Sequence, residues 1–595
     1  MSKSRVAERS AAYALQAAME PAFGASFDLL ATAPQGVVKL RELILSLAVR
    51  GRLTPQSSDD ETAGVLLNKI HVARNRAVSG GVLRHNLKEP KAALNWDAQH
   101  ALPQGWEWAS LDALSPLSLA DGDWIETKDQ DPNGGIRLIQ LADIGVGEFI
   151  DKSSRFINQE TFDRLGCTSL KAGDILIARL PNPIGRACIF PNIGCPAITA
   201  VDVAILRNSA LFNAQYLVTA INSVMIRSQV EAYGKGATRF RVSTGHLKTV
   251  AVPVPPLAEQ ARIVARVEEL MQLCDALEAH GRLQDEQHVR LVATLFDALA
   301  ASASAEELAE NWQRIATHFD LLLDRPEAVD ALEQALLQLA IRGLLVPQDP
   351  TEEPASELLA RILEERHRLD RAGEIKRKKA NALAENDEQP FELPINWMWV
   401  AFDEIVRPDK PIAYGVLVPG PDSVDGVPFV RLADISLTNA PVKPAKNISP
   451  DVDAQFERTR LEGGEILIGV VGSIGKLGVA PMSWRGANIA RAICRIVPTH
   501  LVDKQFVIQL LQSEFMQTRF KGDTRTLAQP TLNVGLIRNC PMPLPPLAEQ
   551  HRIVARVEQL RCLCADLRER LQQARATQSR LADALVSAAA QSPSC

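Results

Sequence analysis

Arginine, lysine and small amide or hydroxyl side chains gather on two pairs of polar, glycine-rich stretches. The first pair carries Arg179, Asn182 and Arg186, then Lys235, Thr238, Arg239 and Arg241; the second carries Ser473 and Lys476, then Arg525, Thr526 and Gln529. Cations of this kind neutralise phosphates, and planar donors and acceptors match base edges, so together they offer the chemistry of nucleic-acid recognition. The local charge agrees. Residues 152–250 hold twelve Lys or Arg against five Asp or Glu, and residues 466–544 hold nine against three, in a chain whose net charge is −6. Two basic blocks inside an acidic chain offer a polyanion two separate places to bind.

Other chemistries find no support. The stretch with Gly469, Gly472, Gly475 and Lys476 looks like a phosphate loop, but Leu477 stands where Ser or Thr is required, so a hairpin turn is expected. A methyltransferase would need a glycine-rich S-adenosylmethionine loop and an Asn/Asp-Pro-Pro-aromatic motif. Asp131-Pro132-Asn133 lacks the second proline and the aromatic. The nine cysteines show no metal-ligand spacing, and Cys274 and Cys564 sit at equivalent helical positions, as small core residues do.

The elements that must carry these loops are written twice. VPPLAEQARIVARVEELMQLCDALE at 254–278 returns as LPPLAEQHRIVARVEQLRCLCADLR at 544–568. LSLAVRGRLTPQ ending at Gln56 returns as LQLAIRGLLVPQ ending at Gln348; Leu102-Pro103 with Trp106-x-Trp108 returns as Leu393-Pro394 with Trp397-x-Trp399. The offset stays between 290 and 292, so one architecture is duplicated with few net insertions. Each copy reads as helices, a β-rich block and a long helix. Ile263, Val267, Leu270, Cys274 and Leu277 form a heptad seam that meets Gly281. Ile553, Val557, Leu560, Cys564, Leu567, Leu571, Ala574, Gln578, Leu581 and Leu585 form a longer one, and the two helices are expected to pair as a coiled coil. Gly51 and Gly343 follow shorter amphipathic helices as left-handed caps, and the tryptophans open strands as core aromatics. A Lys/Arg cluster at 376–379 reads as a solvated face. No apolar run approaches the roughly 20 residues of a membrane span, and residues 1–21 lack a secretory apolar core. A cytoplasmic location is therefore expected.

The twice-written PPLAEQxRIVARVE segment, the LAxRGxLxPQ helix end and the WxW-initiated block resemble the specificity subunit of type I restriction-modification enzymes, over residues 27–590 and in the family's order. The resemblance implies an α+β fold with an internal pseudo-two-fold: two β-rich α/β target recognition domains separated by long helices that form an antiparallel coiled coil. The expected partition is a helical region at 1–101, recognition domains at 102–254 and 393–544, a central helical region at 255–392 and a terminal helix at 545–595. It also implies a non-catalytic chain that binds a bipartite double-stranded DNA target, one domain per half-site, through the loop residues named above. Its partners would be two methyltransferase subunits and restriction/translocase subunits, for N6-adenine methylation or cleavage, with no membrane. S-adenosylmethionine, ATP and magnesium would sit in those partners, and no cofactor in this chain. Two other readings are a self-contained restriction or methyltransferase enzyme, disfavoured by the missing motifs, and a coiled-coil interaction scaffold.

Overall fold

Pro255-Pro256 and Pro545-Pro546 each end a strand and release a 45-residue helix, Leu257–Ala301 and Leu547–Gln591, in the computed structural model. The structure describes residues 27–93, 101–236, 240–375, 390–522 and 531–591. Why the same words recur around these helices is visible at their first turns. Glu259 accepts hydrogen bonds from Trp106 Nε1 at 2.9 Å and Gln56 Nε2 at 3.1 Å, and Glu549 accepts from Trp397 Nε1 at 2.8 Å and Gln348 Nε2 at 2.6 Å. Gln260 and Gln550 next to them each bind a proline carbonyl and a backbone amide: Pro255 and Asn213 in one case, Pro545 and Asp503 in the other. All four side chains are buried. Buried polar groups must be satisfied internally, and here the helix end, the tryptophan strand and the long helix supply one another. Gly51 and Gly343 complete the knot at φ 65° and 73°. A Cβ there would lie 2.4 Å from Pro103 Cγ and 2.5 Å from Pro394 Cγ, so glycine is required twice.

The chain divides into two units, residues 1–284 with 575–595, and residues 285–574. Each contains one β-rich block. In the first unit the strands are β1 (Glu107–Ser110), β2 (Ala120–Asp121), β3 (Ile136–Ile139), β4 (Arg155–Ile157), β5 (Ile175–Ala178), β6 (Ala187–Ile189), β7 (Ala197–Thr199), β8 (Val203–Leu206) and β9 (Ala251–Val254). In the second they are β10 (Met398–Ala401), β11 (Ala413–Tyr414), β12 (Val427–Val430), β13 (Lys446–Ile448), β14 (Ile466–Gly469), β15 (Leu477–Val479), β16 (Asn488–Ile489), β17 (Ile493–Ile496) and β18 (Pro541–Leu544). Sheet orders correspond one to one: β1-β9, β2-β8-β5-β6 and β4-β3-β7 in one block; β10-β18, β11-β17-β14-β15 and β13-β12-β16 in the other. Strands β5, β8 and β14 are buried along their whole length, which explains their unbroken apolar runs; β17 is equally buried but carries Arg495. The glycine-rich stretch before Lys476 is the turn of the β14–β15 hairpin, as its sequence indicates.

Both long helices cross from one unit to the other, and the start of each shares a unit with the end of its counterpart. This gives the mixed helix and sheet content and the helical length of the expected coiled coil. A shorter helix joins each pair. In the first unit Gly36–Ala48 pairs Arg41 with Asp275 at 2.6 Å and Glu278 at 2.8 Å, and Lys39 with Asp583 at 2.8 Å. In the second, Asp330 and Glu333 of Pro326–Ile341 pair with Arg568 at 2.7 and 3.1 Å. Ile263, Val267, Leu270, Ile553 and Val557 are buried; Leu560, Leu567 and Leu571 are half-buried.

One detail of the seam differs from the heptad expectation. After Leu571 the stripe runs through the half-buried Arg575 and Gln578, the latter as the heptad expects, and the buried Ala582 and Ala589, leaving Ala574 exposed and Leu581 45% exposed. The first helix does the same: beyond Gly281 it stays helical, and the stripe continues through His288, Val292, Phe296 and Leu299 while Leu291 is 52% exposed. An added four-residue step is a stutter, which unwinds the seam locally. On the second helix the stutter falls at the unit boundary Ala574/Arg575; on the first the shift shows between Gly281 and Val292, a stretch that contains the boundary Gln284/Asp285.

Candidate nucleic-acid interface

The recognition-type side chains fall into three groups. The first is spent inside the fold. Arg179 is buried just after β5, donating to the Asp121 carboxylate at 2.7 Å and to the carbonyls of Val201 at 2.8 Å and Val242 at 3.0 Å. Arg186 donates to four backbone carbonyls, those of Ile144, Leu141, Pro181 and Pro183. Burial pulls both guanidinium pKa values below their ordinary range. Lys476, at the matching turn of the second block, reaches the Leu432 carbonyl at 2.9 Å. These cations shape the loops; glycine and proline around them mark a surface turn in the sequence, but not that the turn folds back over its own cation.

Exposed residues form the second group: Asn182, in the left-handed region at φ 81°, Lys235 and Arg241 across one short bridge, and Ser473 at the β14–β15 turn. They present free-standing polar chemistry at the loop tips. The third group, Thr238, Arg239, Arg525, Thr526 and Gln529, lies outside the described residues, as does the 376–379 cluster.

Two residues without a sequence signal of their own lie beside these loops, Asp121 exposed and Thr244 buried beneath it. Asp121, at the end of β2, has one carboxylate oxygen held by Arg179 and by the Thr244 hydroxyl while its side chain stays 53% exposed. Only placing the two copies in register would have singled them out, because the corresponding positions in the second block are Tyr414 and Val534, with Val470 in the place of Arg179.

The tryptophans behave as core residues: Trp106 and Trp397 are buried in the knots described above. Six cysteines are buried, and burial pushes the Cys188 and Cys494 thiols up to about 12, leaving them unreactive. Among the described residues no group of three or more His, Cys, Asp or Glu could hold a metal. No described helix is long and apolar enough to cross a membrane.

A family model, the type I restriction modification DNA specificity domain, matches residues 103–285 and 423–574. The chain is 32% identical to the type I restriction enzyme EcoEI specificity subunit of Escherichia coli over 93% of this chain and 94% of the relative. It is 33% identical to the EcoAI specificity subunit of the same organism over the same shares. A crystal structure of the HsdS subunit from Thermoanaerobacter tengcongensis covers 82% of this chain and 97% of its own at 18% identity, with a TM-score of 0.35.

Proposed function

Because the chain belongs to the specificity subunits of type I restriction-modification enzymes, which recognise DNA and are not themselves catalytic, we propose that each β-rich block reads one half of a bipartite double-stranded target. The observation that carries this is the contrast within the repeat. Knots, sheet orders and helix stutters are the same in both copies, whereas the exposed chemistry at the ends of β2 and β11 and on the following loops differs. A duplicated scaffold with unlike surface chemistry is what two readers of unlike half-sites require.

On this reading Lys235 and Arg241 contact phosphate, and Asn182 and Ser473 lie where base edges are met. Thr238, Arg239, Arg525, Thr526 and Gln529 are proposed as further contacts on their residue types and sequence positions alone. The chain assembles with other restriction-modification subunits and DNA. Two methyltransferase subunits, with restriction/translocase subunits added for cleavage, are the proposed complement. S-adenosylmethionine, ATP and magnesium serve those subunits for N6-adenine methylation and DNA cleavage, and the complex acts in the cytoplasm.

The test is DNA binding by the complex with the methyltransferase subunits over a salt series. Affinity should fall steeply with salt, as counterion release demands, and the cognate duplex should outcompete a scrambled one. Equal affinity for both duplexes, or no salt dependence, would point to an interaction scaffold instead.

A further inference from the structure

An exposed carboxylate beside the cations of the first β-rich block calls for an explanation. Asp121 ends β2 and precedes Gly122, which lies so close to the backbone carbonyl oxygen of Ala200 that a Cβ would be 2.2 Å from it. The strand end is therefore pinned. Asp121 Oδ1 then takes two donors, the Arg179 Nη1 and the Thr244 hydroxyl. Arg179 is in turn fixed by two backbone carbonyls and is 6% exposed, so it anchors the carboxylate from below. No described residue occupies Oδ2, and the flanking segment contributes the exposed cations Lys235 and Arg241.

Nothing in the fold demands this arrangement. In the second block Tyr414 ends β11 at the same register, paired with Cys494 as Asp121 is with Ala204, and it precedes Gly415, which is pinned against Ile489 in the same way. Val470 stands in for Arg179, Val534 for Thr244, and the four-stranded sheet keeps its order. A carboxylate on a surface that receives phosphate is repelled by it. One oxygen neutralises the buried Arg179; the other is useful on such a surface where it accepts a hydrogen bond from a base, and in the major groove the donors are the exocyclic amino groups of cytosine and adenine.

We propose that Asp121 is a specificity-determining residue: held by Arg179 and Thr244, its free oxygen accepts a hydrogen bond from the exocyclic amino group of one cytosine or adenine in the half-site read by the first block. Arg179 is a positioning residue for it. Tyr414 at the matching place offers a phenol instead of a carboxylate, so the two blocks discriminate differently at corresponding base pairs. This rests on the bipartite reading above and goes one residue further.

The experiment uses the chain assembled with its methyltransferase subunits and duplexes in which one base of the target at a time is replaced by an analogue lacking the amino group, purine for adenine or pyrimidinone for cytosine, leaving the methylated adenine intact. Wild type should lose about ten-fold in methylation at one position of one half-site, and the analogue that produces the loss identifies the base. Asp121→Asn should abolish that discrimination and leave discrimination at the other half-site unchanged; because the buried Arg179 loses its carboxylate partner the unfolding midpoint falls, so methylation is compared below that midpoint. Unaltered discrimination at every position would overturn the proposal, as would a uniform loss over both half-sites or over all positions of one, since that is the behaviour of a structural residue. A wild-type complex that ignores every amino-group deletion would likewise overturn the proposal, whereas one that methylates a duplex with either half-site scrambled as well as the cognate duplex would refute the bipartite reading itself.

Discussion

A guanidinium with 8% of its surface exposed persists in a fold only if its donors are met, and Arg186 meets four carbonyls that have few other partners. Arg186→Met should therefore lower stability by ~3 kcal/mol, since both the charged hydrogen bonds and the buried acceptors are lost; chemical denaturation of the chain checks it. The knot glutamates give a pH signature. Burial raises the pKa of Glu259 and of Glu549 above the ordinary 4.5, so the folded state holds these protons more tightly than the unfolded one. Stability should fall as pH rises from 4.5 through the raised values and level off above them. The double variant Glu259→Gln with Glu549→Gln should lose that slope, and unfolding midpoints measured across the window would reveal it. The sequence marked Glu259 and Glu549 as repeated without saying why. Their partners lie far off in the chain, at Gln56 and Trp106 or Gln348 and Trp397, and only folding brings the three words together.

At the scale of the element, heptad spacing is legible from residue types over the first half of each long helix, where one unit supplies a continuous core. It misleads after Leu571, because apolar Leu581 suits the seam by type while the stutter turns Ala582 inward. Ala582→Leu should accordingly cost about 1–3 kcal/mol by overpacking, whereas Leu581→Gln should change stability by less than about 0.5 kcal/mol. A strict heptad requires the reverse order. Gly281 is a second test of the helix. A Cβ there would meet nothing within 4 Å, so Gly281→Ala should stabilise the chain by about 1 kcal/mol, read from the same denaturation curves. The basic loops were legible as loops, from their glycines and prolines. Which of their cations face outward was not, because turning back onto a carbonyl and pointing into solvent use the same residues.

For the whole molecule, the duplicated scaffold makes recognition modular. Replacing Lys235 and Arg241 together by alanine should weaken methylation through one half-site and reduce the salt dependence of binding, leaving base preference in the other half unchanged. The central claim is that one chain reads two separate half-sites. Its most direct test is a map of N6-methyladenine in host genomes carrying the methyltransferase subunits with and without this chain. The account predicts a two-part motif with a fixed, unread gap that disappears when the chain is removed. A single continuous motif, or the same methylation without the chain, would contradict it.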